Sequence, residues 1–408
     1  MKPDHTRLPV KPGWALLGPA FVAAIAYVDP GNIAANVSAG SRFGFLLVWV
    51  IVVANVMAAL VQYLSAKLGL VTGLTLPEAV RDRTRTSTRI AYWIQAELVA
   101  IATDVAEIIG GAIGLRLLFG LPLVLGGVIT GVVSLLLLEI GDRNGQRVFE
   151  RVITGMLLVI TLGFLASLVV NPPPAAEVID GLVPRFDGVQ SVLLATAMLG
   201  ATVMPHAVYL HSGLARDRHG HPGPGAERAV LLRATRWDVG IAMLLAGTVN
   251  LALLLVAATN LLGRPDTDTI EGAHAAVGDT LGPVVALFFA IGLLASGLAS
   301  TSVGSYAGAM IMQGLLRKSF PLLVRRLVTL VPALVVLASG VNPTRALVLS
   351  QVVLSFGIPF ALVPLMRLTS DRDLMGVDAN SRLTTIAGWS VAAVITLLNV
   401  ALIYLTVR

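Results

Sequence analysis

The stretch WALLGPAFVAAIAYVDPGNIAANVS, residues 14–38, places Asp-Pro-Gly-Asn inside an apolar run long enough to cross a bilayer. Pro30 removes one backbone hydrogen bond, and Gly31 makes unwound backbone easy to hold. In lipid, such backbone persists only where it is buried in protein or lines a cavity. The stretch therefore predicts a membrane helix that is broken near its middle. Asp29 needs a partner at this depth, and because the stretch contains no cationic side chain, a bound cation is a natural candidate.

The composition is that of a polytopic membrane protein. The 408 residues are 56% hydrophobic and only 13% charged, and the mean hydropathy is +0.84. The net charge of +6 does not indicate nucleic-acid binding, because the basic residues lie between apolar runs. The chain has no cysteine, which excludes disulfides and thiolate metal sites.

Apolar runs of roughly 20 residues predict eleven membrane spans. They lie at 14–38, 45–71, 90–115, 119–140, 148–171, 190–214, 237–262, 281–314, 320–340, 344–366 and 383–406. Of the 29 lysines and arginines, 23 lie in or beside the N-terminus and the even-numbered connections. The positive-inside rule then predicts a multi-pass protein of the cell (inner) membrane with a cytoplasmic N-terminus and an external C-terminus.

A second broken span indicates an internal repeat. Span six, SVLLATAMLGATVMPHAVYLHSGL (191–214), carries Pro205 at a depth similar to that of Pro30 in span one. Five spans precede it, so it crosses in the opposite direction. This predicts a first inverted repeat of spans one to five with the N-terminal segment (1–171), a second of spans six to ten (172–368), and an additional span eleven (369–408).

The two breaks together offer ligands for a metal ion. Superposing the prolines places Asp29 on Met204, and the carbonyl ends of the two first half-helices meet near the bilayer midplane, where they favour a cation. Asn32 adds an amide oxygen, and Ala201 and its neighbours add carbonyls. A thioether favours transition metals over Mg²⁺ and Ca²⁺. A methionine alone is usually packing filler, but its place beside Pro205 favours the ligand role.

The pairing of Asp-Pro-Gly-Asn with Met-Pro-His resembles the Nramp family of divalent-metal transporters, which have the LeuT-type fold. ELVAIATDVAEIIG in span three and SQVVLSFGIPFALVPL in span ten extend the resemblance over the whole chain except the short N-terminus. The resemblance implies an all-α membrane protein that imports Mn²⁺ and Fe²⁺ with protons, often accepting Cd²⁺, Co²⁺ and Zn²⁺. It also implies that Asp29, Asn32, the Ala201 carbonyl and Met204 are metal ligands. Relatives that carry Mg²⁺ or Al³⁺ lack the methionine.

Three further acids share one face of span three. Glu97, Asp104 and Glu107 lie at positions i, i+7 and i+10, within about 80° around a helix axis. Carboxylates at membrane depth are costly and usually functional, which predicts a proton relay leading away from the metal site. The resemblance agrees for Asp104 and Glu107. The alternative is a static ion-paired network with Arg325 and Arg326 at the start of span nine.

Several of these residues have two possible roles. In the family, arginines at positions 325 and 326 continue the proton route, whereas the sequence alone reads them as a cytoplasmic flank. His206 is either a proton carrier or a hydrogen-bonded core residue. Gln351 either approaches the metal from span ten or makes a helix–helix hydrogen bond. Asp29 is itself a candidate for the proton pathway.

Two other functions compete with metal transport. A sodium-coupled amino-acid carrier of the same fold would bind a substrate carboxylate at half-helix N-termini, where Asp29 would repel it. An intramembrane enzyme is disfavoured because the chain has neither His-Glu-x-x-His nor Gly-x-Ser-x-Gly. We therefore expect a monomer that is not an enzyme, holds no cofactor, binds no nucleic acid, and has metal ions, protons and the lipid bilayer as partners.

Overall fold

The computed structural model describes residues 18–144, 146–264, 267, 269–318 and 322–407. All regular secondary structure in this part of the chain is helical, as predicted. Among the described residues, seven apolar helical segments are long enough to cross a membrane, and they overlap seven of the predicted spans. Shorter apolar helices lie within the other four, at Pro19–Val28, Leu123–Leu136, Arg151–Leu162 and Leu327–Ala338. The count of eleven crossings stays a prediction.

The α-helices are numbered in chain order. They are α1 Pro19–Ile25, α2 Pro30–Phe43, α3 Val48–Thr72, α4 Leu76–Arg83, α5 Thr86–Phe119, α6 Leu123–Asn144, α7 Gln146–Val170, α8 Ala175–Asp180, α9 Gly188–Thr202, α10 Pro205–His219, α11 Ala226–Asn260, α12 Ile270–Leu281, α13 Pro283–Leu316, α14 Leu322–Ala338, α15 Pro343–Ser370, α16 Arg372–Met375 and α17 Arg382–Val407. Short 3-10 turns follow α1 (Ala26–Val28) and α16 (Gly376–Asp378).

The first predicted break lies between α1 and α2. After the 3-10 turn, Asp29 is extended (φ −73°, ψ 163°) and Pro30 begins α2. Proline suits the first position of a helix because its missing N–H would have no partner there. The break is therefore set by the Asp-Pro-Gly-Asn sequence, as expected.

The second break lies between α9 and α10 and repeats this geometry. Val203 and Met204 leave the helical region, with φ −106°, ψ 59° and φ −65°, ψ 124°, and Pro205 begins α10. Met204 is thus the residue that caps the second half-helix, the position that Asp29 holds in the first break. The structure places the two residues in equivalent positions, as superposing the prolines predicted.

Small residues bring the helices into close contact around the breaks. On the α5–α13 interface, a Cβ added to Gly297 would lie 2.7 Å from the Gly111 nitrogen, and one added to Gly114 would lie 2.9 Å from Leu294 Cα. Close backbone approach of this kind drives helix association in membranes. Other packed pairs include α3 with α10, α2 with α11, α5 with α15 and α13 with α7.

One of these contacts gives a direct test of the packing. A Cβ at Gly69 of α3 would lie 2.0 Å from the backbone oxygen of Ser212 on α10, so Gly69→Ala must push the two helices apart. We expect it to lower the free energy of unfolding by about 1–3 kcal/mol, measured as a lower melting temperature in detergent. Gly155→Ala is the matched control, because Gly155 is exposed and has nothing within 4 Å of such a Cβ. Equal melting temperatures for the two variants would contradict this packing.

Candidate metal site

The predicted metal-site residues all lie inside the protein. Asp29, Asn32, Ala201, Met204 and Gln351 each have 0% of their surface exposed. They come from α2, α9, α15 and the residues that cap the two breaks. A polar group buried this deeply needs hydrogen bonds or an ion to replace the water it has lost.

The Asp29 carboxylate is held in place by backbone and side-chain donors. Its Oδ1 accepts the Asn32 N–H at 2.8 Å, and its Oδ2 accepts the Gly31 N–H at 3.2 Å and the Gln351 Nε2–H at 3.0 Å. A carboxylate offers about four lone-pair sites. These three donors leave a coordination position at Oδ1, so an ion can bind there without displacing the cap of α2.

Gln351 lies against both broken helices. A Cβ at Gly31 would lie 1.7 Å from Gln351 Nε2, and a Cβ at Gly200 on α9 would lie 2.0 Å from the Gln351 backbone oxygen. A side chain at position 200 would clash with this backbone, one at position 31 would displace the Gln351 side chain, and both positions lie within four residues of a break. In the part of the chain that the structure describes, the buried Gln351 Oε1 has no hydrogen-bond partner. Gln351 therefore makes a hydrogen bond between helices, one of its two predicted roles, and it also has an amide oxygen to offer an ion.

Two carbonyls of the 3-10 turn after α1 are already occupied, unlike the open carbonyls we expected there. The Tyr27 carbonyl accepts the Nδ2–H groups of Asn32 and of Asn250 on α11, the latter at 2.8 Å. The Val28 carbonyl accepts the hydroxyl of Ser296 on α13. The sequence analysis missed Asn250 and Ser296, although an asparagine in the apolar run of span seven was a usable signal.

The prolines leave other carbonyls without their usual helical donor. The N–H that would bond the Ala201 carbonyl belongs to residue i+4, which is Pro205 and has none. The same rule applies to Ala26, four residues before Pro30. The Ala201 carbonyl therefore lacks its usual helical donor, and its role as a metal ligand stays a prediction. Ala26, which was not expected from the sequence, holds the same position relative to the first break.

The acids of span three are buried to different degrees. Asp104 and Glu107 on α5 are buried, and Glu97 is half-buried about 10 Å further along the helix. Glu107 faces α13, where a Cβ on Gly304 would lie 3.1 Å from its Oε1. Arg325 and Arg326 fall within α14, which packs on α5, but their side chains lie outside the described residues.

His206 connects α10 to the acidic face of α5. Its Nδ1 lies 3.5 Å from the hydroxyl of Thr103, the residue before Asp104 on α5. Its Nε2 is buried and has no hydrogen-bond partner among the described residues. The structure therefore places His206 against the segment of α5 that carries Asp104.

A row of buried hydrogen bonds links the 3-10 turn after α1 to α3 and α10. His211 Nδ1 lies 2.7 Å from Gln62 Oε1, and Gln62 Nε2 donates to the Tyr27 hydroxyl. Gln62 and Tyr27 were not expected from the sequence, because these hydrogen bonds join segments that are distant in sequence. These hydrogen bonds connect the 3-10 turn after α1 to α10, the inner half of the second broken helix.

A cavity of about 510 Å³ lies beyond the site toward the predicted outer face. Ser38 on its wall is six residues, about 9 Å, past Asn32 on α2, and Val348 is three residues before Gln351 on α15. Arg42 and Arg345 also line it, and none of its described lining residues is acidic. The cavity thus approaches the site between α2, α9 and α15.

The chain is similar to known proteins over most of its length. Residues 20–405 match the family model described as natural resistance-associated macrophage protein-like, Nramp. The chain is 70% identical over 404 residues to the divalent metal cation transporter MntH of Mycobacterium tuberculosis H37Rv, covering 99% of this chain and 94% of that protein. It is 49% identical over 397 residues to MntH of Bacillus subtilis, covering 96% and 92%.

Solved structures extend the comparison to the fold. A manganese transporter of Eremococcus coleocola in complex with an aromatic bis-isothiourea compound matches with a TM-score of 0.85 and 32% identity, covering 95% of this chain and 85% of that one. MhsT in complex with L-phenylalanine matches with a TM-score of 0.63 at 12% identity, covering 95% and 98%. The second likeness concerns the fold alone, which is the LeuT-type fold expected from the sequence.

Proposed function

This chain belongs to the Nramp family, and on that premise we propose that it is a secondary transporter that imports divalent transition metals together with protons. Mn²⁺ and Fe²⁺ are the proposed substrates, with Cd²⁺, Co²⁺ and Zn²⁺ also accepted. The relatives are named divalent metal cation transporters and the structural neighbour a manganese transporter. These names denote transport, which agrees with the expectation that the chain is not an enzyme.

The observation that carries the proposal is the position of Gln351 between the two breaks. Its side chain donates to Asp29 and its backbone oxygen packs against Gly200 of α9, so Gln351 lies between the carboxylate and the helix that ends at the second break. We propose that the ion binds Asp29 Oδ1, the Asn32 amide oxygen, the Ala201 carbonyl and the Met204 sulfur. Gln351 would then turn its Oε1 toward the ion and release Asp29 Oδ2.

The chemistry of these donors suits a transition metal. One carboxylate and neutral oxygens bind Ca²⁺ and Mg²⁺ as well as Mn²⁺, but the thioether of Met204 contributes affinity mainly to softer ions. The site binds weakly enough to release its ion, because it combines a single negative charge with neutral donors. A transported ion requires both properties.

Access from the two sides follows from the broken helices. We propose that ions enter through the outer cavity and leave when the inner half-helices α1 and α10 move. The contacts support an inverted repeat of 1–171 and 172–368, with 369–408 added. In this repeat α2 corresponds to α10, α3 to α11, α5 to α13 and α7 to α15. The contact of α2 with α11 therefore corresponds to that of α10 with α3, and the contact of α5 with α15 to that of α13 with α7. A cytoplasmic N-terminus, an external C-terminus and a monomeric state complete the proposal.

Protons would leave the site by another route. His206 lies beside Thr103, the neighbour of Asp104, and Glu107 and Glu97 lie on the same helix, α5. We propose that a proton released when the metal binds Asp29 passes along these groups toward Arg325 and Arg326. Separate metal and proton routes would prevent the two positive charges from competing for one path.

The transport proposal is tested in proteoliposomes with a pH-sensitive dye inside. We expect Mn²⁺ uptake accompanied by internal acidification, and loss of both in Asp29→Ala, since the only anionic metal ligand is gone. Glu107→Gln should reduce acidification more than Mn²⁺ uptake. Asp82→Ala is the control, because this half-exposed acid pairs with Arg81 on α4. Uptake that ignores the proton gradient would refute coupling, and uptake by Asp29→Ala would refute the site.

Selectivity tests the role of the sulfur separately. We expect Met204→Ala to retain Mn²⁺ transport but to let Ca²⁺ compete at about tenfold lower concentration, because an oxygen or water replaces the thioether. The measurement is inhibition of Mn²⁺ and Cd²⁺ uptake by Ca²⁺ in the variant and the parent. Met198→Ala is a matched control, since Met198 is equally buried on α9 but lies a turn and a half before the break. Unchanged competition in Met204→Ala would exclude the sulfur from selectivity.

A further inference from the structure

A buried carboxylate outside the metal and proton routes holds the start of α1. Asp238 on α11 is 2% exposed. Its Oδ1 accepts the Gly18 N–H and its Oδ2 accepts the Ala20 N–H, each at 3.0 Å. Both oxygens of Asp238 thus bond to the start of α1, which lies 218 or more positions earlier in the sequence.

The two hydrogen bonds to Asp238 are important for the stability of α1 because α1 is short. Its helical residues are Pro19–Ile25, followed only by the 3-10 turn, so few hydrogen bonds of its own stabilise it. The first N–H groups of any helix lack acceptors within it. Hydrogen bonds from such groups to a carboxylate are charge-assisted and are stronger than neutral ones. Asp238 therefore contributes strongly to where α1 lies.

Helix α11 also bonds to the 3-10 turn that follows α1. Asn250 of α11 donates to the Tyr27 carbonyl at 2.8 Å, and it lies twelve residues, about 18 Å, along α11 from Asp238. Asp238 and Asn250 thus attach α11 both to the start of α1 and to the turn that follows it.

We propose that Asp238 is a positioning residue that latches α1 to α11 and so keeps the inner side of the metal site closed. Opening toward the cytoplasm then requires both hydrogen bonds to break. The latch acts on α1 itself and leaves the metal ligands unchanged. This inference rests on the proposed function, because it assigns the latch to one step of alternating access.

The latch is tested by cysteine labelling, because the natural chain contains no cysteine. Ala24→Cys on α1 serves as the reporter, since Ala24 is fully buried while α1 is in place. Inside-out vesicles are treated with a membrane-impermeant maleimide without metal or proton gradient. We expect Asp238→Ala to label at least tenfold faster than the parent. Asp238→Asn should label at an intermediate rate, since its amide oxygen keeps one acceptor.

Two controls separate the latch from general loosening. Thr235→Val on the same helix should not change labelling, because the Thr235 hydroxyl bonds only its own helix, at the Leu231 carbonyl. A second reporter, Asp82→Cys on the exposed part of α4, should label equally in every background. If Asp238→Ala does not fold, the rate in Asp238→Asn decides.

The outcomes distinguish the latch from the function on which it rests. Labelling of Ala24→Cys at the parent rate in both Asp238 variants overturns the latch, whatever the transport assay gives. Equal acceleration by Thr235→Val also overturns it, because the effect would then not depend on the carboxylate. A parent protein that takes up no Mn²⁺ would refute the proposed transport function without changing the labelling comparison.

Discussion

The architecture depends on backbone hydrogen bonds that two prolines remove inside a membrane. No water is available there to satisfy the exposed carbonyl and N–H groups, so each break must be completed by side chains from other helices. Asp29 receives the N–H groups that begin α2, and Asn250 and Ser296 donate to the carbonyls at the end of the turn after α1. The breaks are therefore stable only in the assembled bundle, which fixes the donors around the site.

The same constraint explains why the first break holds a carboxylate. Asp29 is a helix cap, a structural role, and also the only anionic group proposed for the metal. Because the backbone N–H groups of Gly31 and Asn32 each bond one of its oxygens, it stays in place whether or not an ion is bound. Met204 at the equivalent position has no comparable cap bond in the structure, so its chemistry is free to serve selectivity.

The local features of the fold were predictable from the sequence, and the contacts between distant helices were not. Pro30 and Pro205 determine the breaks through chemistry within one segment, and the buried positions of Asp29, Asn32 and Met204 followed from hydropathy. Tyr27, Gln62 and Asn250 meet only because three helices converge. We expected open carbonyls after α1 because these contacts are not visible in the sequence, whereas in the structure the Tyr27 and Val28 carbonyls accept hydrogen bonds. Availability of a carbonyl depends on its neighbours in space, which sequence spacing does not report.

The most direct test of the account is X-ray absorption at the cadmium edge on protein loaded with one equivalent of Cd²⁺. If the two breaks hold the ion between Asp29 and Met204, the spectrum contains one sulfur neighbour among oxygen neighbours, and the sulfur is lost in Met204→Ala. A shell of oxygen and nitrogen alone in the parent protein would contradict the central claim.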